Sequence, residues 1–358
     1  MVVDGDDENA LHQDALESGI ARARAGSCYV MAQASWESMG LVNELFDLVR
    51  RCGATSCAVA ALSVAGPPGW IELRNVDLHV DAKNVMRVQS LRGEVIPATP
   101  GTIAWLDEPK SFRIRATSGR VSLDGNAVTA LLNENAFNYP DAPIKNLRVR
   151  IEDGKVVQKG TLHKGVDIPF EMWAVPVLQP DGRLRLHPDK LRILGVDGLA
   201  LMHAIGLHLA SMMDLSKAHG ASVTGDDIFL DPLQIIPPPF VDGRLSAVHI
   251  DGNLLVQDFA RTADDSVFGT LVKPDSSARN FVYFRGGQLR FGKLTMTDTD
   301  LLIRDDDERD PFDLYFAEYN KQLAAGHTKN LEDLSLRTWM VDYAKVSGAG
   351  DRKVAAAP

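Results

Sequence analysis

The sequence predicts an α+β fold in which a mainly antiparallel sheet is covered by a few apolar helices. Three observations carry that expectation. Apolar and polar residues alternate at period two in run after run from Trp70 onward, turn-type residues separate neighbouring runs, and three other stretches repeat at three- and four-residue spacing.

The first segment differs from the rest. To about Val64 it combines a helical pattern around Leu41, Leu45, Leu48 and Val49 with small residues and little strand character. Gly66, Pro67, Pro68 and Gly69 then break the chain, because neither residue type continues a helix or a ladder. The expected organisation is an N-terminal helical or irregular segment over 1–65, a strand-rich domain over 66–345, and a disordered tail over 346–358. Arg50 and Arg51 precede a small-and-apolar run from Ala54 to Gly66 that has signal-like order, so a downstream translation start would leave the first segment out of the mature protein. The extreme N-terminus, with Asp4, Asp6, Asp7 and Glu8, lacks the basic start of a secretory signal.

From Trp70, Ile71 and Leu73 share one face, and after Asn75 the phase shifts to Val76, Leu78 and Val80, which predicts a bulge. Half-buried strands follow at Phe112–Ala116, Val121–Leu123, Leu147–Ile151, Ile168–Ala174, Leu184–Leu186, Leu289–Phe291 and Leu301–Ile303. Glu152-Asp153-Gly154-Lys155, Gln179-Pro180-Asp181-Gly182 and Gly286-Gly287 are hairpin connections, which makes the sheet mainly antiparallel.

Three stretches offer to cover its apolar face. Asp124 caps a helix with Ala127, Val128, Leu131 and Leu132 on one stripe. A second helix is expected from near Asp197 through Leu199, Met202, Ile205, Leu209, Met212 and Met213, apolar around most of its circumference. The third is expected to start at Asp310-Pro311-Phe312-Asp313, to carry Phe312, Tyr315, Phe316, Tyr319 and Leu323 as a stripe, and to stop at Gly326. Leu123-Asp124-Gly125-Asn126-Ala127 is echoed by Val196-Asp197-Gly198-Leu199-Ala200 and in part by Ile250-Asp251-Gly252-Asn253-Leu254, a hint of related structural units.

Charge and composition narrow the function. The chain is 45% hydrophobic and 24% charged, an ordinary globular composition, and its net charge of −10 opposes a nucleic-acid partner. Ten basic residues fall between Lys145 and Arg192, a local excess that suits solvated strand faces and leaves room for peripheral contact with an anionic membrane surface. No run of about 18 apolar residues exists to form a membrane-spanning helix. Cys28, Cys52 and Cys57 cannot staple the remainder of the chain.

Chemistry-bearing motifs are missing. No G-x-x-x-x-G-K, G-x-G-x-x-G, G-x-S-x-G or H-E-x-x-H occurs, which argues against the common enzyme mechanisms and against a cofactor. His203 and His208 lie about 140° apart on a helix, too divergent for one ion. The acidic run Asp305 to Asp310 lacks the spaced ligands and glycine of a calcium loop and is expected to be a solvated turn, so no metal site is expected. What stands out is apolar material beyond a simple sheet core: the methionine-rich helix, Phe170-Glu171-Met172-Trp173, and Ile235 to Phe240. Methionine adapts to ligands of varied shape.

The order of features from Val121 to Phe259 carries a resemblance. It runs from the strand and helix at Val121–Asn135, through paired strands at Leu147–Gly160 and Ile168–Val177, to Gly182-Arg183-Leu184-Arg185-Leu186-His187-Pro188. The apolar helix Leu199–Met213, Ile228-Phe229-Leu230-Asp231-Pro232-Leu233 and Pro239 to Leu254 follow. This region resembles the LmeA-like bacterial phospholipid-binding family of the tubular lipid-binding (TULIP-like) superfamily, and the flanks are loosely similar to AsmA-like lipid-transport proteins. The resemblance covers under half of the chain; the N-terminal segment and the portion from Phe281 onward have no counterpart.

It implies a long, highly curved sheet wrapped around one or two apolar helices in an elongated domain, and a groove holding acyl chains. Spacing and resemblance together place Leu131, Leu132, Phe170, Met172, Leu199, Met202, Leu209, Met212 and Met213 along that groove. The expected function is non-catalytic binding or transfer of a lipid, a phospholipid by resemblance, in the periplasm or cell envelope. The alternative is an envelope scaffold with a solid core, whose aromatic C-terminal stripe would dock a partner.

Overall fold

The computed structural model describes residues 20–25, 28–33, 68–79, 85–204, 206–271 and 277–346. The chain divides into two compact units, Met1–Gly66 and Pro67–Pro358. In chain order the strands are β1 (Ile20–Ala25), β2 (Cys28–Gln33), β3 (Gly69–His79), β4 (Val85–Pro97), β5 (Ala104–Trp105), β6 (Phe112–Asp124), β7 (Ile144–Glu152) and β8 (Lys155–His163). They continue as β9 (Asp167–Leu178), β10 (Leu184–Ile193), β11 (Val196–Asp197), β12 (Ala221–Thr224), β13 (Asp227–Leu230), β14 (Phe240–Asp242), β15 (Leu245–Asp251) and β16 (Leu254–Phe259). The last are β17 (Phe281–Arg285), β18 (Gln288–Phe291), β19 (Leu294–Thr297), β20 (Asp300–Asp305), β21 (Phe312–Tyr315), β22 (His327–Asn330) and β23 (Leu336–Met340). Among the described residues five short α-helices accompany them: α1 (Gly125–Leu131), α2 (Gly198–Ala204), α3 (Leu209–Met212), α4 (Pro232–Ile235) and α5 (Tyr319–Ala325).

In the first unit β1 and β2 pair as an antiparallel hairpin; the helix expected around Leu41 to Val49 lies outside the described residues, as does the tail beyond Val346. In the second unit the expected β-rich, mainly antiparallel architecture is present. Its larger sheet runs β15-β16-β6-β4-β3-β17-β20-β23-β22, with β14 and β21 joined to β6 and β3, and it curls into a half-barrel. The smaller sheet runs β12-β13-β10-β9-β8-β7, with β11 on β10, and is antiparallel throughout. A three-stranded piece runs β19-β18-β5.

The phase shift read at Asn75 marks where β3 changes partner. Residues 70–74 pair with β17, and residues 76–79 pair with β21. Asn75 sits between them at φ +50°, a left-handed conformation that asparagine tolerates, and its Nδ2 donates to Asn280 Oδ1 at 2.7 Å. Its neighbour β4 changes its inward face at the same level, from Met86 and Val88 to Leu91 and Val95.

A sheet edge exposes unpaired backbone groups unless something meets them. At the β7 edge α1 and the π-helical turn that continues it, Leu132–Ala136, do so. Thr129 and Asn133, four residues apart and therefore on one side, face the strand. Val149 N–H donates to Thr129 Oγ1 (2.8 Å), Leu147 N–H to Asn133 Oδ1 (3.2 Å), and Asn133 Nδ2 to Leu147 O (2.7 Å).

Two of the three echoed pentapeptides adopt one design. Asp124 and Asp197 each end a strand and cap the following helix, accepting from Ala127 N–H (2.8 Å) and Ala200 N–H (3.1 Å). The glycine after each lies against a neighbouring strand: a Cβ on Gly125 would come within 2.6 Å of Val149 O, and one on Gly198 within 2.8 Å of Ile193. The third copy is a hairpin turn, with Gly252 at φ +58°.

Two helix expectations are corrected. The apolar stretch after Asp197 is two short helices, α2 and α3, because Gly206 takes φ +68° and His208 is extended. The helix expected from Asp310 begins only at Tyr319: Phe312–Tyr315 instead form β21, parallel to β3, since this pairing satisfies the backbone of a half-strand that β17 leaves uncovered.

Candidate functional site

Alternation in the smaller sheet points Val156, Gln158 and Leu162 of β8 inward together with Met172 and Ala174 of β9. Register then assembles two rows across three strands. Gln158 opposes Met172, which opposes Leu191; Gly160 opposes Phe170, which opposes Ile193. Gly160 is needed there, because a Cβ would stand 3.3 Å from both the Phe170 ring and Leu147. Leu209, Met212 and Met213 from the α3 segment, with Ile228 of β13, close the other side.

The space between them is about 20 Å³, the size that one water fills. Its wall is apolar except for Gln158, whose side chain is 4% exposed and makes no hydrogen bond among the described residues. A polar residue in an inward position of a strand normally finds a partner, since an unmet buried amide costs about 1–3 kcal/mol. Here the amide borders an apolar cavity instead.

The α3 cover is fastened mainly at its ends. His208 Nδ1 pairs with Asp226 Oδ2 at 3.1 Å, Leu209 N–H donates to Asp226 Oδ1 (2.9 Å), and Ala210 N–H donates to Gly225 O (2.9 Å). Lys164 Nζ, from the β8–β9 turn, donates to Ser211 O at 2.6 Å.

Of the nine groove residues expected from sequence, the structure gathers Phe170, Met172, Leu209, Met212 and Met213 around this cavity. Leu131, Leu132 and Met202 are buried elsewhere in the core, and Leu199 packs against it partly exposed. Sequence reasoning missed Ile144, Leu162, Leu191 and Ile193, and also Gln158, whose signal was readable: a glutamine at an inward position between Val156 and Leu162.

A second cavity, about 50 Å³, lies inside the curled sheet between residues such as Ile71, Phe112, Phe284, Phe291, Phe316 and Met340, with no polar surface. Its surroundings are well satisfied. Asp107 accepts from Trp105 Nε1 (2.6 Å), Tyr319 OH (2.9 Å) and Asn320 Nδ2 (2.7 Å). Burial raises the Asp107 pKa, but these hydrogen bonds outweigh it and hold the carboxyl below its ordinary value.

The acidic run differs from its expectation as a solvated turn. Asp305 is 1% exposed, and its carboxylate lies with those of Asp310 and Asp342, all within 4.8 Å. Two of the oxygens are engaged: Asp305 Oδ1 accepts from Asp307 N–H (3.0 Å), and Asp342 Oδ2 is 2.6 Å from Lys345 Nζ; Asp342 Oδ1 is buried without a hydrogen-bond partner. Burial pushes the Asp305 carboxyl up to about 7; Asp307 N–H and Asn280 oppose the shift, while Asp342 and Asp310 add to it.

No protein-family model matches the chain, and neither a curated protein nor a solved structure matches it.

Proposed function

We propose that the protein binds an amphiphile without catalysis, a lipid whose acyl chain lies against β8, β9 and β10 beneath the segment 198–213. The observation that carries this reading is Gln158: one unpaired buried amide in an otherwise apolar wall suits a ligand that offers a carbonyl or hydroxyl next to a hydrocarbon chain. Each methylene withdrawn from water contributes about 0.8 kcal/mol, so the wall needs no further directed contact.

A cavity of about 20 Å³ holds no acyl chain until the cover moves. Phe170 and Met212 are partly exposed, Met213 is buried beside them, and methionines repack readily around a guest. In this reading the sheet curves around the 198–213 helices, and the LmeA-like resemblance names phospholipid as the class and the cell envelope as the place.

The small size of both cavities favours a second reading, a scaffold with a solid core. Its expected docking anchors are turned inward, however: Tyr319 is buried, and Tyr315 stacks between His79 (4.0 Å) and Tyr343 (3.9 Å).

Titration with a fluorescent fatty-acid probe, followed by displacement with phospholipid, tests the proposal. Saturable binding that is weakened in Gln158→Leu is expected. A folded wild-type protein that leaves the probe free overturns it.

A further inference from the structure

The residues around the Gln158 cavity are ordered by depth. Register sets three rows along β8 and β9: Leu162 opposes Ile168, Gly160 opposes Phe170, and Gln158 opposes Met172. In the first two rows Ile168, Phe170 and, on β10, Ile193 are partly exposed, and so is Met212 on the cover. In the third row Gln158, Met172 and Leu191 are all buried, and Leu209, Met213 and Ile228, which complete the wall, are buried as well. From Ile168 to Met172 is four residues of strand, a run of about 13 Å. The unmet amide therefore stands at the dry end of the cavity, and the end that reaches solvent is apolar. Register fixes the order of the rows whether or not the cover moves.

That order is the reverse of a groove that keeps headgroups in water. A lipid held with its head at the solvated end would run methylenes past Gln158 and leave the amide as unmet as before. Held the other way, its head meets Gln158 and its chain follows the apolar rows outward past Phe170 to Ile168. A glutamine amide both donates and accepts, so a hydroxyl can use it in either sense and a carbonyl can accept from it.

Charge decides which heads fit. No charged side chain lines the cavity. The charged groups that fasten the cover are engaged in doing so: Lys164 Nζ donates to Ser211 O, and His208 pairs with Asp226, which also accepts from Leu209 N–H. A carboxylate or phosphate beside Gln158 would be an unpaired charge in a dry apolar wall, far more costly to bury than a neutral head with a hydrogen-bond partner.

We infer that the site selects a lipid whose head is uncharged, a long-chain alcohol or a fatty-acid ester, and holds it head inward with Gln158 at the hydroxyl or carbonyl. The inference rests on the proposed lipid binding and narrows it: where the resemblance names phospholipid, the wall names a neutral head. A fatty acid enters in its protonated form, so its binding tightens as pH falls, because a dry site raises the carboxyl pKa. A phospholipid keeps its phosphate in water and gains nothing from Gln158.

Displacement of the uncharged fluorophore N-phenyl-1-naphthylamine from the purified full chain tests it, with 1-dodecanol, methyl dodecanoate, dodecanoate and dilauroyl phosphatidylcholine as competitors at pH 5 and pH 8. At pH 8 the alcohol and the ester should compete at least about tenfold more strongly than dodecanoate. Dodecanoate should gain about tenfold or more between pH 8 and pH 5. Dodecanol should compete equally at both, which separates titration of the ligand from titration of His208 or Asp226 on the cover. In Gln158→Leu the affinity for dodecanol should fall about fivefold while that for phosphatidylcholine holds. Dodecanoate or phosphatidylcholine competing as well as dodecanol at pH 8 overturns the neutral head and leaves lipid binding standing. An affinity for dodecanol that Gln158→Leu leaves unchanged overturns the inward orientation. A folded wild-type chain that takes up neither fluorophore nor dodecanol overturns the lipid reading and this inference together.

Discussion

Two buried glutamines of the second unit are used differently. Beside the curled larger sheet Gln322, fully buried, donates to Asp313 O (2.7 Å) and Val341 O (3.0 Å) and accepts from Tyr315 N–H (2.9 Å), so one side chain ties β21, α5 and the end of β23 together. In the smaller sheet Gln158, of the same chemistry, makes no hydrogen bond among the described residues and borders an apolar cavity. One glutamine fastens three elements, and the other leaves its amide to whatever enters the cavity.

That contrast can be broken most sharply at the two glutamines. Gln322→Leu strands three backbone groups and should destabilise the protein by about 3 kcal/mol or more, read by urea denaturation. Gln158→Leu should move the other way, stabilising by about 1–3 kcal/mol because no partner is lost. Equal losses at both positions would end the comparison.

The larger sheet has its own exception at Asp305, and pH exposes it. The folded state raises this carboxyl from 3.8 to about 7, so it holds its proton more tightly than the unfolded chain does. Its contribution is therefore greatest below pH 4 and is lost as pH rises from 4 to 7. Asp305→Asn, which can still accept from Asp307 N–H, should be more stable than wild type by about 1–3 kcal/mol at pH 8 and nearly equal to it at pH 4. Parallel pH curves for the two proteins would contradict this.

The smallest effect is expected at Leu194→Asn, where relief of the left-handed leucine should add about 1 kcal/mol, seen as a modest rise in melting temperature. A loss of stability would mean that Leu194 packs against something.

Much of this was legible in the residues themselves. Alternation marked the strands, and the phase shift at Asn75 located the place where β3 changes neighbour. The helix expectation over Phe312–Leu323 failed for a physical reason: spacings of three, four and seven residues fit a stripe, but the pairing of Phe312–Tyr315 with Val76–His79 is a contact across more than 230 residues that no local pattern encodes. The break at Gly206 was a single residue inside an apolar run. Five cavity residues were anticipated because they share two segments, 170–172 and 209–213, whereas Ile144, Leu162 and Leu191 join them only through register.

The central claim, that Gln158 anchors an amphiphile in an apolar cavity, is tested most directly by native mass spectrometry of the purified chain, with organic extraction and identification of whatever accompanies it. The account predicts a bound species carrying an acyl chain and a carbonyl or hydroxyl, present in the wild type and depleted in Gln158→Leu. A bare mass for both proteins, unchanged when phospholipid is added, would contradict it and leave the smaller sheet with a solid core.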